Sequence, residues 1–233
     1  MVVTEKDVKL IDAPENVSSR EDVVTEWFHE ALRQVMLFPA LRLFVPLKVE
    51  GIDNLQGAGP YIFAANHASH LDAPVVLASL PLRLRLRLRV AAAADYFFTN
   101  WRKGMLVRSL INAFPFERKG PACGNSLAYT AQLLKEGKSV LLFPEGTRSK
   151  DGQMQLFRTG VGRLALAGTA PVVPIWIEGT HQALPKGATL PRRRTVTLRF
   201  GKPLHFTPGD DVFEVVAEIE RQVRRLSRTA KNV

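Results

Sequence analysis

Residues 61–72 have the sequence YIFAANHASHLD, and residues 139–149 have the sequence SVLLFPEGTRS. Each begins with a short apolar run typical of a buried strand and ends in a polar, ionisable cluster. In sheets flanked by helices, functional sites collect just past the carboxyl ends of the strands. We therefore expect both clusters to form one site, in which His67, Asp72, Glu145 and Arg148 supply a base, its orienting group and an anion clamp.

The rest of the chain alternates predicted helices with predicted strands. The expected helices are 73–79, 95–112, 125–136, 159–167 and a last one ending near 227; the expected strands include 172–177 and 194–200. This order predicts an α/β fold: a single domain with a central mixed sheet flanked by helices, preceded by an N-terminal amphipathic helical segment. Trp101, Leu106 and Leu110 are the expected apolar anchors of the helix over 95–112.

The N-terminal segment alternates apolar and charged residues at helical spacing from Val23 to Met36, and Pro39 is expected to kink or end that helix. Packing on the core is one interpretation of the apolar stripe. The other is an interfacial membrane anchor, with the aromatic side chains in lipid and Arg42 reaching the headgroups. Those aromatic residues are Trp27, Phe28, Phe38 and Phe44.

Leucine and arginine alternate strictly over 82–90, which predicts a strand with leucines inward and four arginines on one outer face. Two interpretations stay open for that face. It is either a solubilising edge or a surface for phosphate and anionic lipid.

Composition narrows the class of protein. The chain has 233 residues, 46% of them hydrophobic, and a formal net charge of +10, which favours anionic partners. The most apolar window, Val35–Leu47, is interrupted by Pro39, Arg42 and Pro46, so no membrane-spanning helix is expected. The N-terminus lacks a basic start followed by an apolar stretch, so no secretory signal is expected. A lone Cys123 excludes an internal disulfide. We expect the protein in the cytoplasm or on a membrane.

Four segments, in this order along the chain, resemble the signature blocks of the glycerolipid acyltransferases. They are Asn66-His67 with Asp72, Phe114–Arg118, Phe143–Ser149 and Val172–Ile175. The third block, FPEGTRS, matches in full. The second departs from the commoner Ile-Asp-Arg ending, and Phe157–Gly160 replaces a more usual Lys-rich version.

The resemblance implies an O-acyltransferase that moves a fatty acyl chain from acyl-CoA or acyl carrier protein to the free hydroxyl of a lysophospholipid. The expected acceptor is 1-acylglycerol 3-phosphate, which would give phosphatidic acid. His67 would be the general base and Asp72 its orienting partner. The implied substrate-binding residues are Arg118, Glu145, Gly146, Thr147 and Arg148, and the supporting residues are Asn66, Pro144 and Pro174.

The resemblance further implies no cofactor and no metal, since the acyl carrier is a co-substrate. The expected partners are the lysophospholipid and a membrane surface with anionic lipids, without nucleic acid. The expected location is the cytoplasmic face of a membrane, peripheral or monotopic. Residues 1–48 would form a lead-in with amphipathic, membrane-associating helices, and residues 49–233 the acyltransferase domain.

The residues themselves fit this chemistry. A neutral histidine is well matched to remove a proton from an alcohol near pH 7, and an aspartate can fix its tautomer. His67 and Asp72 are five positions apart, roughly 140° around a helix, so only a turn can bring them together. Ser69 lacks a Gly-x-Ser-x-Gly context, which favours direct transfer over an acyl-enzyme. Backbone N–H groups near Gly146 are the candidate donors to the oxyanion.

Three alternatives remain. The acceptor could be another lysolipid or a glycolipid. His67, His70 and Asp72 form a His-x-x-His-x-Asp pattern that could serve a metal-dependent hydrolase. A basic membrane-binding or nucleic-acid-binding module would instead use the arginines of 83–89 and 192–194, but aromatic residues for base stacking are not interleaved with them.

Overall fold

The chain is built on a seven-stranded mixed sheet in the computed structural model, which describes residues 20–57 and 59–228. The strands are β1 Leu47–Glu50, β2 Ile62–Ala65, β3 Leu88–Ala93, β4 Ala113–Phe116, β5 Ser139–Leu142, β6 Val172–Glu178 and β7 Val196–Phe200. Their order is β1-β7-β6-β2-β5-β3-β4. Neighbours are parallel except for β6 and β7. The predicted α/β class with a mixed sheet is confirmed.

Ten α-helices surround the sheet in the described residues. They are α1 Arg20–Leu32, α2 Phe38–Phe44, α3 Asp72–Ser79, α4 Leu82–Arg87, α5 Ala94–Phe97, α6 Trp101–Ile111, α7 Ala122–Lys135, α8 Gly160–Leu166, α9 Thr180–Ala183 and α10 Val212–Arg228. A π-helical turn, Arg33–Leu37, joins α1 to α2, and a 3₁₀ turn covers Ile52–Asn54. Within 20–57 and 59–228, no helix combines the length and apolar character needed to cross a bilayer. The predicted lead-in over residues 1–17 lies outside the described residues.

The core has two halves, one on each face of the sheet. On one face Phe63 packs with residues of α2 and α3, such as Leu41 and Val76. On the other face Ile62 and Ala64 pack with α7, α8 and α10. Alternate side chains of a strand point to opposite faces, so a strand covered on both sides must be apolar throughout. Every residue of β2 and β5 is buried, as their continuous apolar sequences predict.

The predicted N-terminal helix is present, but its polar face is the one that packs on the protein. Glu30 and Arg33 are buried, whereas Trp27, Phe28 and Val35 are 53%, 66% and 74% exposed. Glu30 accepts from Arg33 Nε at 3.0 Å and pairs with Arg85 Nη2 of α4 at 2.7 Å. Ion pairs therefore hold the inner face of α1, and most of its apolar stripe is left outside.

Pro39 does not end this helix. The chain passes from α1 through the π turn into α2, and the Phe38 N–H donates to the carbonyl of Arg33, five residues back. Proline has no N–H to donate, so a wider turn just before it accommodates the interrupted hydrogen-bond pattern. Phe38, Leu41 and Val45 then reach the core.

The strand predicted over 82–90 is wrong in its first six residues, which form α4. The strand β3 begins only at Leu88, where it gains a partner in Ser139 of β5. Leucine and arginine are both good helix formers, so without a neighbouring strand the segment after Pro81 is helical. The arginines do not form one outer face: Arg85 and Arg89 pair with Glu30 and Glu26 of α1, whereas Arg83 and Arg87 are exposed.

The helix predicted over 95–112 is divided into α5 and α6, and its expected anchors are not core residues. Trp101 is 70% exposed and Leu106 56% exposed. The side chain of Asn100 caps α6 by accepting from the Arg102 N–H at 2.9 Å, which starts a new helix at Trp101. Only Gly104 of α6 is buried, so this helix also presents apolar side chains outward.

Candidate active site

The loops that follow β2 and β5 meet because these strands are parallel neighbours in the middle of the sheet. The backbone N–H of His67 donates to Glu145 Oε1 at 2.8 Å, and the N–H of Ser149 donates to the carbonyl of His67 at 2.8 Å. The structure thus brings together the two polar clusters that the sequence places at strand ends.

His67 and Asp72 meet through a tight turn. His67 Nδ1 lies 2.7 Å from Asp72 Oδ2, and that oxygen also accepts from the N–H groups of Ala68 at 2.7 Å and Ser69 at 2.8 Å. Asp72 is fully buried at the start of α3. An ionised carboxylate only accepts hydrogen bonds, so the proton of a neutral His67 belongs on Nδ1. This leaves Nε2 as the basic nitrogen.

The ring of His67 stacks on Phe143, with centroids 4.0 Å apart and planes 17° from parallel. Phe143 is the last residue before the turn that contains Glu145. The loop after β5 therefore supports the histidine of the loop after β2. Together with the bond to Asp72, this stacking fixes the orientation of the imidazole. No separate role was predicted for Phe143 from the sequence.

His67 stands on the wall of a cavity of about 800 Å³. Apolar residues from β3, α8 and α10 line its interior, including Val90, Ala92, Val161, Leu164 and Val216. Its polar lining includes His67, His70, Arg118, Thr147, Arg148, Arg158 and Lys186. The combination suits a molecule with one long apolar part and one anionic part.

Arg118 joins the loop after β4 to the loop after β5. Its Nη1 donates to the carbonyl of Gly146 at 2.7 Å, and its Nη2 bonds both carboxylate oxygens of Asp95 at 2.7 and 2.6 Å. Arg148 is half-buried on the same cavity wall, and no hydrogen bond or ion pair is found for its guanidinium among residues 20–57 and 59–228. Of these two predicted substrate-binding arginines, Arg148 is the one left open to a ligand.

Glu145 is buried beneath the turn. Its Oε1 accepts from the His67 N–H and its Oε2 from the Gln155 N–H at 3.1 Å. Burial raises the pKa of Glu145 to about 7, although these N–H donors oppose the rise. The side chain holds the two loops together and does not line the cavity. Its substrate-binding role stays a prediction.

Gly146 has φ = 73°, a left-handed conformation that glycine adopts without strain. A Cβ there would lie 2.7 Å from Arg158 Nε, so only glycine allows this guanidinium to cover the turn. The N–H of Gly146 donates to Phe143 O at 3.0 Å and closes the turn. The Gly146 N–H itself is therefore already engaged, and an oxyanion donor among the other N–H groups near Gly146 stays a prediction.

Of the remaining predicted site residues, two line the cavity and two support the site from neighbouring strands. Thr147 and Pro144 line the cavity. Asn66 is buried and exchanges two hydrogen bonds with the backbone of Ile177 in β6, at 2.9 and 2.7 Å. Pro174 lies within β6, opposite Ala64 of β2, and does not line the cavity. Asn66 and Pro174 thus belong to the strand pairing that supports the site.

His70 lines the cavity but faces aromatic rings, with Tyr96 at 5.8 Å and Phe97 at 5.6 Å between centroids. Burial, followed by the nearby Arg148 and His67, lowers the pKa of His70 to about 4, so it is neutral at pH 7. In the part of the chain that the structure describes, no three His, Cys, Asp or Glu side chains converge as a metal-binding group.

Two cationic residues of the cavity lining, Arg158 and Lys186, were not predicted from the sequence as individual site residues. Arg158 lies over Gly146, where its Nε donates to Glu145 O at 3.3 Å. It belongs to the segment 157–160, whose departure from the family pattern was the available signal. Lys186 comes from the loop after α9, far along the sequence from the loops after β2 and β5 that form the site. No local pattern in the sequence marks it.

A family model described as Acyltransferase matches residues 46–178. Among curated proteins, the chain resembles a chloroplastic 1-acyl-sn-glycerol-3-phosphate acyltransferase of Arabidopsis thaliana, with 29% identity over 193 residues, 78% of this chain and 50% of that protein. It also resembles the 1-acyl-sn-glycerol-3-phosphate acyltransferase of Bacillus subtilis, with 29% identity over 160 residues, 68% of this chain and 74% of that protein.

The solved 1-acyl-sn-glycerophosphate (LPA) acyltransferase of Thermotoga maritima has a similar fold, with a TM-score of 0.70 and 25% sequence identity, covering 93% of this chain and 85% of that one. The chain spans about half the length of the plant relatives that it matches, 50% and 52% of the first two. The matched region contains both loops of the site. The chain therefore belongs to the acyltransferase family.

Proposed function

We propose that this protein transfers an acyl group from a thioester donor, acyl-CoA or acyl carrier protein, to the free hydroxyl of 1-acylglycerol 3-phosphate, giving phosphatidic acid. One observation carries the proposal: His67, bonded at 2.7 Å to the buried Asp72, lies on the wall of a large apolar cavity with cationic residues in its lining. The names of the relatives support the same acceptor.

In this mechanism His67 Nε2 removes the proton of the acceptor hydroxyl as its oxygen attacks the thioester carbonyl. The C–O bond forms, and the resulting tetrahedral oxyanion collapses with cleavage of the C–S bond. The imidazolium returns its proton to the leaving thiolate, so the histidine ends neutral. Buried Asp72 stabilises the imidazolium while it exists and keeps Nε2 directed at the substrate.

The environment of Ser69 supports direct transfer over a covalent acyl-enzyme. Ser69 is fully buried, and its Oγ donates to the carbonyl of Leu184 at 2.7 Å while accepting from the Leu71 N–H at 3.2 Å. A nucleophilic serine needs an accessible oxygen hydrogen-bonded to the base. Ser69 instead shapes the turn that connects His67 to Asp72.

Arg148 is the proposed ligand of the acceptor phosphate, since a guanidinium matches phosphate geometry and this one has no acidic partner among the described residues. Arg118 would assist only if the phosphate replaced Asp95, which occupies its Nη2. The apolar interior would hold the acyl chain of the donor. Another lysolipid with an anionic headgroup would use the same groups.

Attachment to a membrane surface is proposed from the outward apolar faces of α1 and α6. Trp27 and Phe28 on α1, and Trp101, Met105 and Leu106 on α6, are all more than half exposed. Arg102 and Lys103 accompany them on α6, as expected of a helix that meets anionic lipid. The substrates of the proposed reaction are themselves lipids.

The test is thiol release from oleoyl-CoA by the full chain, with and without lysophosphatidic acid, in vesicles containing excess chelator. Release that requires the acceptor and survives the chelator is expected. His67→Ala should lower the rate by at least about a thousandfold. His205→Ala, a histidine outside the cavity lining, is the matched control.

Three outcomes would contradict the proposal. Release without an acceptor would indicate a thioesterase, and loss of activity with chelator would indicate metal-dependent chemistry. Transfer that survives His67→Ala would remove His67 as the base.

A further inference from the structure

A second, smaller groove adjoins the wall of the main cavity. Its volume is about 420 Å³, and it shares Thr147, Arg148 and Lys186 with the main cavity. Lys150 and Gln153 line only the groove. A ligand that leaves the main cavity on the side of these shared residues enters this groove.

The groove carries unneutralised positive charge. Among residues 20–57 and 59–228, no hydrogen bond or ion pair is found for the side-chain cations of Arg148, Lys150 and Lys186. The only acid in its lining is Asp151, whose Oδ1 already accepts from Ser149 Oγ at 2.8 Å and from the Gln153 N–H at 3.0 Å. The buried Arg199, by contrast, bonds both Glu50 and Glu178.

The proposed reaction has two phosphate-bearing substrates, which differ in the distance between the phosphate and the reacting atom. In the acceptor, the phosphate is on the carbon next to the one that bears the reacting hydroxyl, so it must lie close to His67. In the donor, the pantetheine arm separates the thioester from the phosphates. Lys150 lines the groove but not the cavity that contains His67, so it suits the distant phosphates.

We propose that this groove binds the phosphates of the acyl donor's carrier, with Lys150 and Lys186 as their ligands. The inference rests on the proposed function, because it takes the thioester to be placed at His67 and the carrier to extend outward. The chemistry is shared by the diphosphate and 3′-phosphate of coenzyme A and by the phosphodiester of an acyl carrier protein. Arg148, on the boundary between the two spaces, stays with the acceptor.

The test compares donors that share an acyl chain but differ in carrier: oleoyl-CoA, oleoyl-dephospho-CoA and the oleoyl thioester of N-acetylcysteamine, which has no phosphate. In the variant Lys150→Ala/Lys186→Ala, the KM for oleoyl-CoA is expected to rise about tenfold, since each exposed ion pair contributes up to about a factor of five. The advantage of oleoyl-CoA over the phosphate-free thioester in kcat/KM should shrink by the same factor. The matched control is Lys135→Ala/Lys202→Ala, which removes two exposed lysines outside both spaces.

Oleoyl-acyl carrier protein serves as a further donor and distinguishes the two carriers. A rise in KM confined to one carrier assigns the groove to it, and a rise for both assigns the groove to their shared phosphate. An unchanged preference among donors would overturn the inference, as would a rise in KM for lysophosphatidic acid alone.

Binding of free coenzyme A, followed by titration calorimetry, separates failure of the inference from failure of the proposed function. The wild-type chain should bind coenzyme A, and the double-lysine variant should bind it about tenfold more weakly. Such a difference would support the groove even if no transfer were detected. Equal affinity of the two proteins for coenzyme A, together with an unchanged KM for oleoyl-acyl carrier protein, would overturn it even if transfer were rapid.

Discussion

Helices α1 and α10 both have an amphipathic sequence, but they turn opposite faces toward the protein: α10 its apolar face and α1 its polar face. In α10 the apolar residues Val215, Ile219 and Val223 are buried in the core. In α1 the buried residue is Glu30, followed by buried Arg33 in the π turn, and apolar side chains such as Trp27 and Phe28 are exposed. Hydrophobic burial stabilises the position of α10, whereas the ion pair of Glu30 with Arg85 of α4 and a bond from Arg33 Nη1 to Asn112 Oδ1 at 3.0 Å fix the position of α1.

The difference shows what an amphipathic pattern determines. It specifies the period of the helix and the separation of two faces, but not which face meets the protein. An outward apolar face is favourable only if a second apolar phase is available, and the proposed lipid substrates supply one.

The largest effect on stability is expected for Glu30→Gln. This change leaves Arg33 and Arg85 buried without a carboxylate, which should lower the free energy of unfolding by about 3–5 kcal/mol. Urea titration would measure it, and Glu214→Gln on the exposed surface of α10 is the control. A loss no larger than that of the control would mean that ion pairs do not hold α1.

Ile219→Ala tests the apolar interface between α10 and the core. Ile219 is completely buried, so its truncation should cost about 3 kcal/mol from lost burial and the remaining cavity. The same urea titration applies, with Ile219→Val as the graded control at about 1 kcal/mol. A cost below that of a surface substitution would show that α10 is held by something other than its apolar face.

The smallest effect on stability is expected for Trp27→Ser combined with Phe28→Ser. Both side chains are exposed, so the free energy of unfolding should change by less than about 0.5 kcal/mol. Affinity for vesicles with anionic lipid should fall more than tenfold, because burying one large apolar side chain is worth about 1.5–3 kcal/mol. The control is Leu190→Ser, which removes an apolar side chain that is 81% exposed elsewhere on the surface. Equal vesicle binding by wild type and double variant would refute the membrane role of α1.

Prediction from sequence succeeded where a local pattern or a general rule of sheet architecture determines the contact. The apolar runs of β2 and β5 locate the strands, and the two clusters at their ends meet because parallel neighbours end at one edge. His67 and Asp72 lie within one turn, so their approach could be anticipated. The links from His67 to Glu145 and from Arg33 to Asn112, in contrast, join residues 78 and 79 positions apart.

The strand prediction for segment 82–87 was wrong for a related reason. Its alternating pattern fits a strand, but a strand also needs a neighbour, and β5 begins only at Ser139, opposite Leu88. Whether a partner is present depends on the whole sheet and is not encoded in the segment. The same limit applies to Lys186, which a distant loop brings into the cavity lining.

The π turn between α1 and α2 has a consequence for how the N-terminal segment can vary. Its one extra residue places Phe38 in line with Arg33, so the charged inner face of α1 continues directly into the apolar inner face of α2. Deleting one residue between them would rotate α1 by about 100° relative to α2 and turn Glu30 away from Arg85. The intervening residues Gln34, Val35 and Met36 are exposed. The π turn must therefore keep its length, whereas its exposed residues can be replaced by other amino acids.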